Sequence, residues 1–230
     1  MDGRASHVVT ALQQVTQSNA VENLAPPIQV ALFLGAFVLL SAALVCLTSF
    51  TRIVIVLSFV RRALATQEIP PTPVIIGLAL FMTFFVMGPT LDAIMENAVN
   101  PYLDGQIQGA QAFDAGAAEL HRFMLRQTRR QDLALFIHMA GTEPPQTAAE
   151  TPLRVLIPAF IISELKTAFI MGFALYIPFL LVDLVVSTVL MSLGMMMMPP
   201  VVISAPFKIL LFVLVDGWHL VAGALGSSFY

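Results

Sequence analysis

Apolar residues run almost unbroken through four stretches of the chain. They are IQVALFLGAFVLLSAALVCLTSFTRIVIVLSFV (28–60), PVIIGLALFMTFFVMGP (73–89), PLRVLIPAFIISELKTAFIMGFALYIPFLLVDLVVSTVLMSLG (152–194) and APFKILLFVLVDGWHLVAGALG (205–226). Runs this long read as membrane helices, because a bilayer core about 30 Å thick needs roughly 20 apolar residues per span. The first and third are too long for one upright span; as one helix, 28–60 would reach about 50 Å at 1.5 Å per residue. Prolines and glycines punctuate the pattern. Pro26–Pro27 is a natural helix start, IPPTP is a tight connection, and Gly88–Pro89 is expected to stop the second helix. Pro178 can kink or split the third. The count is four long elements, or five if Pro178 breaks one.

Between the second and third runs the character changes. Residues 90–152 hold Asp92, Glu96, Asp104, Asp114, Glu119, Asp132, Glu143 and Glu150 against Arg122, Arg126, Arg129 and Arg130. Leu120, Phe123 and Met124, and then Leu133, Phe136, Ile137 and Ala140, fall at helical spacing and predict two short amphipathic helices. The chain therefore divides into a polar N-terminal segment (1–27), a first helical hairpin (28–89), a small helical insert (90–152) and a second hairpin (153–230), with a methionine-rich loop at 194–200. Arg61, Arg62 and Lys208 flank the two short connections, which places those in the cytoplasm and the insert outside it.

Composition supports the class. The chain is 58% hydrophobic and 11% charged, with a mean hydropathy of +0.86, where soluble domains carry about 25% charged residues. The fold class is an all-α membrane protein built from long, kinked helical hairpins. A net charge of −3 without a Lys/Arg-rich run gives no sign of a nucleic-acid partner. The single cysteine, Cys46, permits no internal disulfide. Residues 1–27 contain no apolar core of the kind a signal peptide needs.

Six ionisable residues interrupt the apolar runs: Arg52, Glu164, Lys166, Asp183, Lys208 and Asp216. A lone charge at bilayer depth costs several kcal/mol, and three bases against three acids suggest mutual pairing. Glu164 and Lys166 are two apart and face different sides of a helix. Lys208 and Asp216 lie two turns apart. The pairs should therefore cross between helices or between subunits. A proton or ion relay through the same residues is the other reading. Small residues at i, i+4 (Ala159, Ser163 and Thr167; Ala168 and Gly172) allow close helix approach. HExxH, Gly-rich phosphate-loop and GxSxG motifs are absent from the sequence, and His7, His121 and His138 have no metal-ligand spacing. Asp183 and Asp216 lack the glycine-flanked surroundings of an intramembrane aspartyl protease. No catalysis, metal or cofactor is expected, and His219 reads as a packed residue.

The last unusual stretch is LMSLGMMMMPP, with Met195, Met196, Met197 and Met198 between Gly194 and Pro199–Pro200. By itself it reads as filler in a helix–helix turn. In context it does not stand alone. LTSFTRIVIVLSFVRRALATQEIPP, IIGLALFMTFFVMGP, FMLRQTRRQDLALF, LIPAFIISELKTAFIMGF, YIPFLLVDLVVSTVLMSLGMMM and PFKILLFVLVDGWHL together resemble the FliP family, the flagellar type III export-gate subunit, whose injectisome counterpart is the SctR family. The resemblance covers nearly everything from about residue 40 onward. It implies a ring of identical subunits, a pentamer, joined by FliQ and FliR in a helical cone lifted largely out of the bacterial inner membrane toward the periplasm, at the flagellar basal body, through which unfolded subunits pass. It implies that Met195–Met198 form the gasket at the narrowest point, and that Glu164, Lys166 and Lys208, with Arg52 and Asp183, carry charge interactions between subunits. The alternatives are the injectisome branch of the same family, a scaffold whose partners line the pore, and an ion-coupled transporter using Glu164, Lys166, Asp183 and Asp216.

Overall fold

The computed structural model describes residues 25–66, 69–141, 147–195 and 198–230, and they are helical almost throughout. In chain order the helices are α1 (Pro26–Leu47), α2 (Phe50–Ala63), α3 (Thr72–Ile94), a π-helical turn (Met95–Val99), α4 (Asn100–Leu103), α5 (Gly109–Gln127), α6 (Arg130–Met139), a 3-10 turn (Ala148–Glu150), α7 (Leu153–Ser192), α8 (Pro200–Leu214) and α9 (Gly217–Ser227). By length and composition, α1, the continuous stretch Thr72–Leu103 and α7 can each cross a membrane. The bent pair α8–α9 adds a possible fourth span.

The breaks fall at different places from those the sequence suggests. The 28–60 run divides at Thr48, whose backbone is extended (φ −120°, ψ 178°). Threonine side chains take up the carbonyls that the end of α1 leaves free. Thr48 donates to the Leu44 carbonyl, and Thr51 donates to the Val45 carbonyl at 2.6 Å. Gly88–Pro89, in contrast, stops nothing, and α3 runs on through Pro89 to Ile94. Part of the clash before a proline is with the preceding Cβ, and Gly88 has none. Nor does Pro178 split α7, which continues through both Pro158 and Pro178 for 40 residues. An interior proline costs about 3 kcal/mol, and packing along α7 outweighs it.

That packing centres on α2 and α7, which share the most extensive contact in the chain. Ile53, Val56, Leu57, Val60 and Ala63 form a buried stripe on α2 at three- and four-residue spacing. On α7 the buried stripe is Leu156, Ala159, Phe160, Ser163, Glu164, Ala168 and Gly172. It includes most of the small residues that the spacing marked. Lipid gives helices little hydrophobic reason to associate, so close van der Waals contact must supply it. Gly172 shows how close the contact is: a Cβ there would lie 2.6 Å from Cγ of Phe59. Beyond it, Phe59 and Phe169 meet edge to face with ring centres 5.5 Å apart.

The helices α5 and α6 lie against α7, with α5 also touching α3 and the π-helical turn. Phe123 and Met124 are buried as the amphipathic pattern predicts, and Leu133, Phe136 and Ile137 are half-buried. The π-helical turn brings Asn97 to α5, where its amide donates to Glu119 at 3.0 Å; Arg122 pairs with the other oxygen of that carboxylate at 2.6 Å.

At the far side, α8 runs back along α7, and α9 bends away from it by 64°. The corner is Asp216, left-handed at φ 51°, followed by Gly217. Phe212 packs edge to face on Trp218 at 5.2 Å and lies near Phe179. A Cβ on Gly217 would fall 2.2 Å from the Phe212 ring. That ring is held between two other aromatics and cannot swing aside. Gly217→Ala should therefore destabilise the chain by about 1–3 kcal/mol, read as earlier thermal unfolding in detergent, with a wild-type melting curve as the result that contradicts it.

Candidate functional site

Arg52 is the hub of the polar interior. It lies on the buried face of α2, and all five of its N–H donors are taken. Nε donates to Glu164 Oε2 at 2.9 Å and Nη2 to Glu164 Oε1, so the pair is bidentate. The second Nη2 hydrogen goes to Gln127 Oε1 at 3.1 Å. Nη1 donates to the Ser228 carbonyl at 2.8 Å and to its hydroxyl at 3.0 Å. The Phe229 ring covers the guanidinium, with its centre 3.9 Å from Cζ. One side chain thus joins α2, α7, the end of α5 and the residues after α9. Arg52 and Glu164 are 2% and 0% exposed. A buried ion pair is tolerable only when its remaining hydrogen-bonding capacity is filled, as it is for Arg52.

One position before Glu164, Ser163 donates to Asp132 at 2.7 Å and accepts the Arg129 backbone N–H at 3.1 Å. This ties the first turn of α6 to α7 beside the hub.

A second ion pair sits further along α7. Lys208 of α8 donates to Asp183 Oδ2 at 2.6 Å, and Ser204 one turn earlier donates to Oδ1. Lys208 is 2% exposed and Asp183 26%. The four residues of these two pairs therefore meet between helices of a single chain. They have partners without a neighbouring subunit, so the intersubunit role expected of Arg52, Glu164, Asp183 and Lys208 is not needed to satisfy their charges. Lys166 and Asp216 are exposed and, among the described residues, form no ion pair.

The two pairings share a register. Asp183 faces Lys208, and Glu164 faces Ser228 through Arg52; both are centred near residue 196. The α7–α9 hairpin therefore has its tip in the methionine run. Helix α7 ends in a Schellman motif. The Met195 N–H bonds the Leu190 carbonyl and the Gly194 N–H the Met191 carbonyl, with Gly194 at φ 75°. Pro200 then opens α8 in the first-turn position that suits proline. Met195 and Met198 are exposed at this tip, 42% and 48%, while Met196 and Met197 lie outside the described residues. Just behind the tip, α7 and α8 frame an apolar groove of about 680 Å³ lined by Val185, Val189, Ile203 and Phe207 among others.

Sequence reasoning missed Gln127, Ser228 and Phe229. They sit at helix ends, where apolar periodicity carries no signal. The hint available was that GSSFY follows an apolar run with two serines and two aromatics instead of charges.

Membrane-length helices, two ion pairs closed within the chain and a soft apolar hairpin tip define the class: an all-helical integral membrane protein. Residues 33–225 match the model of the FliP family. The chain is 50% identical over 215 residues to the flagellar biosynthetic protein FliP of Bacillus subtilis, covering 94% of this chain and 97% of that protein. It is 56% identical over 182 residues to the protein of the same name from Caulobacter vibrioides, with 79% and 68% covered. The Aquifex aeolicus protein is 47% identical over 209 residues, with 90% and 87% covered. The chain belongs to the FliP family.

Proposed function

We propose that the chain is a core subunit of the flagellar protein-export apparatus. In this reading it forms a protein-conducting ring with copies of itself, joined by FliQ- and FliR-type subunits, in the bacterial inner membrane and extending to the periplasmic side. Unfolded export substrates pass through the ring, and the subunit performs no catalysis of its own. The flagellar names of its relatives favour this over the injectisome branch. Of the four charges an ion-coupled transporter would use, Glu164 and Asp183 are engaged with bases. That leaves Lys166 and Asp216, exposed on α7 and at the α8–α9 corner, without a buried acidic partner for an ion path among the described residues.

The observation that carries the gate reading is the register of the hairpin, which centres its tip on the methionines. Methionine is unbranched, polarizable and rotamer-rich, so it conforms to irregular partners. A ring of such tips closes against itself and excludes water, yet yields around a moving chain. Charged tips would admit ions. Replacing Met195–Met198 with glycine should leave assembly intact and raise ion conductance through the assembled complex in planar bilayers. Background conductance in that variant would overturn the gasket role. A cysteine at position 196 that cross-links to a stalled substrate separates a conducting subunit from a scaffold.

A further inference from the structure

The residues that follow α9 are tightly held. Val221 and Leu225 on α9 are buried, and so is Phe229 beyond it. Ser228 gives both its carbonyl and its hydroxyl to Arg52. The Gln127 amide reads the next carbonyl, donating to Phe229 O at 2.9 Å, while its oxygen accepts from Arg52. The Phe229 ring lies on the guanidinium. The Tyr230 hydroxyl donates to the Val86 carbonyl of α3 at 3.4 Å, but the residue itself is 76% exposed. Hydrogen bonds to two successive carbonyls, one hydroxyl bond and a stacked ring form a recognition site for a dipeptide, built from α2 and α5.

We propose that Arg52 and Gln127 are a receptor for the chain's own residues that follow α9, Ser228 and Phe229, and that their capture fixes the α7–α9 hairpin and so positions its methionine tip. The Arg52–Glu164 pair is not enough to satisfy Arg52, because among the described residues Nη1 has no partner besides Ser228. Until Ser228 arrives, two buried donors of a charged group go unmatched, a costly state. Capture closes the base of the hairpin, Lys208–Asp183 holds its middle, and the tip is left as the free end. This holds whatever passes the tip. Arg52 and Gln127 are positioning residues in this scheme.

A broad-specificity carboxypeptidase acting in detergent on a purified chain expressed so that it ends at Tyr230 tests it, with products read by intact-mass spectrometry. From the native chain the enzyme should remove Tyr230 and stall at Phe229, whereas an SDS-unfolded chain is trimmed freely. Gln127→Leu removes the donor to the Phe229 carbonyl and should speed trimming past Phe229 about tenfold, the equivalent of one hydrogen bond. Arg52→Lys keeps the charge but loses the forked donors and should speed it more. Gln127→Leu, at the part-exposed end of α5, decides the matter if Arg52→Lys does not fold. Removal of Phe229 and Ser228 from the native chain as fast as from the unfolded one would overturn the proposal, as would wild-type protection in Gln127→Leu.

Discussion

Arg52→Met should remove on the order of 3–5 kcal/mol of stability, the usual cost of stranding one member of a buried ion pair. Proteins hold about 5–15 kcal/mol in total, so much of the variant should fail to accumulate in the membrane, and what can be purified should melt early. Glu164 is fully buried and would be left with no cation to face it. The Ser228 carbonyl and Gln127 would lose their shared donor in the same step. The double variant Arg52→Met/Glu164→Leu should recover part of the loss, because an apolar pair of similar size often matches a buried ion pair. Recovery should stop short of wild type, since the contacts to Ser228 and Gln127 stay broken. Denaturant melts of the purified single and double variants check both steps. A single variant as stable as wild type would mean that Arg52 does not hold these helices together.

Lys208→Glu comes second. It sets a carboxylate against Asp183 at a position only 2% exposed, where Lys208 now lies 2.6 Å from that acid. The expected loss is about 3 kcal/mol, below that of Arg52 because Asp183 keeps some exposure and its bond from Ser204. With the middle of the hairpin unpinned, its tip should no longer present the methionines in register, and the assembled particle should shrink or disperse on native mass spectrometry. The swap Asp183→Lys/Lys208→Glu should restore part of both. A full-sized, fully stable Lys208→Glu particle would show that the pair is dispensable.

The features readable in the sequence were those with a period or a charge anomaly. Phe123 and Met124 are buried where the amphipathic spacing put them, and Ala159, Ser163, Ala168 and Gly172 line the tight face of α7. Charges in apolar runs pointed to pairing between helices or between subunits, and Arg52–Glu164 and Asp183–Lys208 pair between helices of one chain. The identity of each partner was not legible. Arg52 and Glu164 are 112 residues apart, and no local rule connects them. Helix ends misled for a related reason. Pro89 and Pro178 look like stops because their local cost is fixed, whereas the packing that overrides it comes from distant helices. Thr48 looks innocuous in a run of apolar residues, yet with Thr51 it caps the end of α1.

Helix α7, at 40 residues, is about 60 Å long, twice the hydrocarbon thickness. Nineteen residues separate Glu164 from Asp183 on it, a rise of about 28 Å, while the midplane lies only about 15 Å from either edge of the hydrocarbon. The two ion pairs therefore cannot both occupy the centre of a bilayer crossed by an upright α7. Wherever one sits at mid-depth, the other stands among headgroups or in water, and the chain carries in its own charge spacing a gauge of how far it rises out of the lipid.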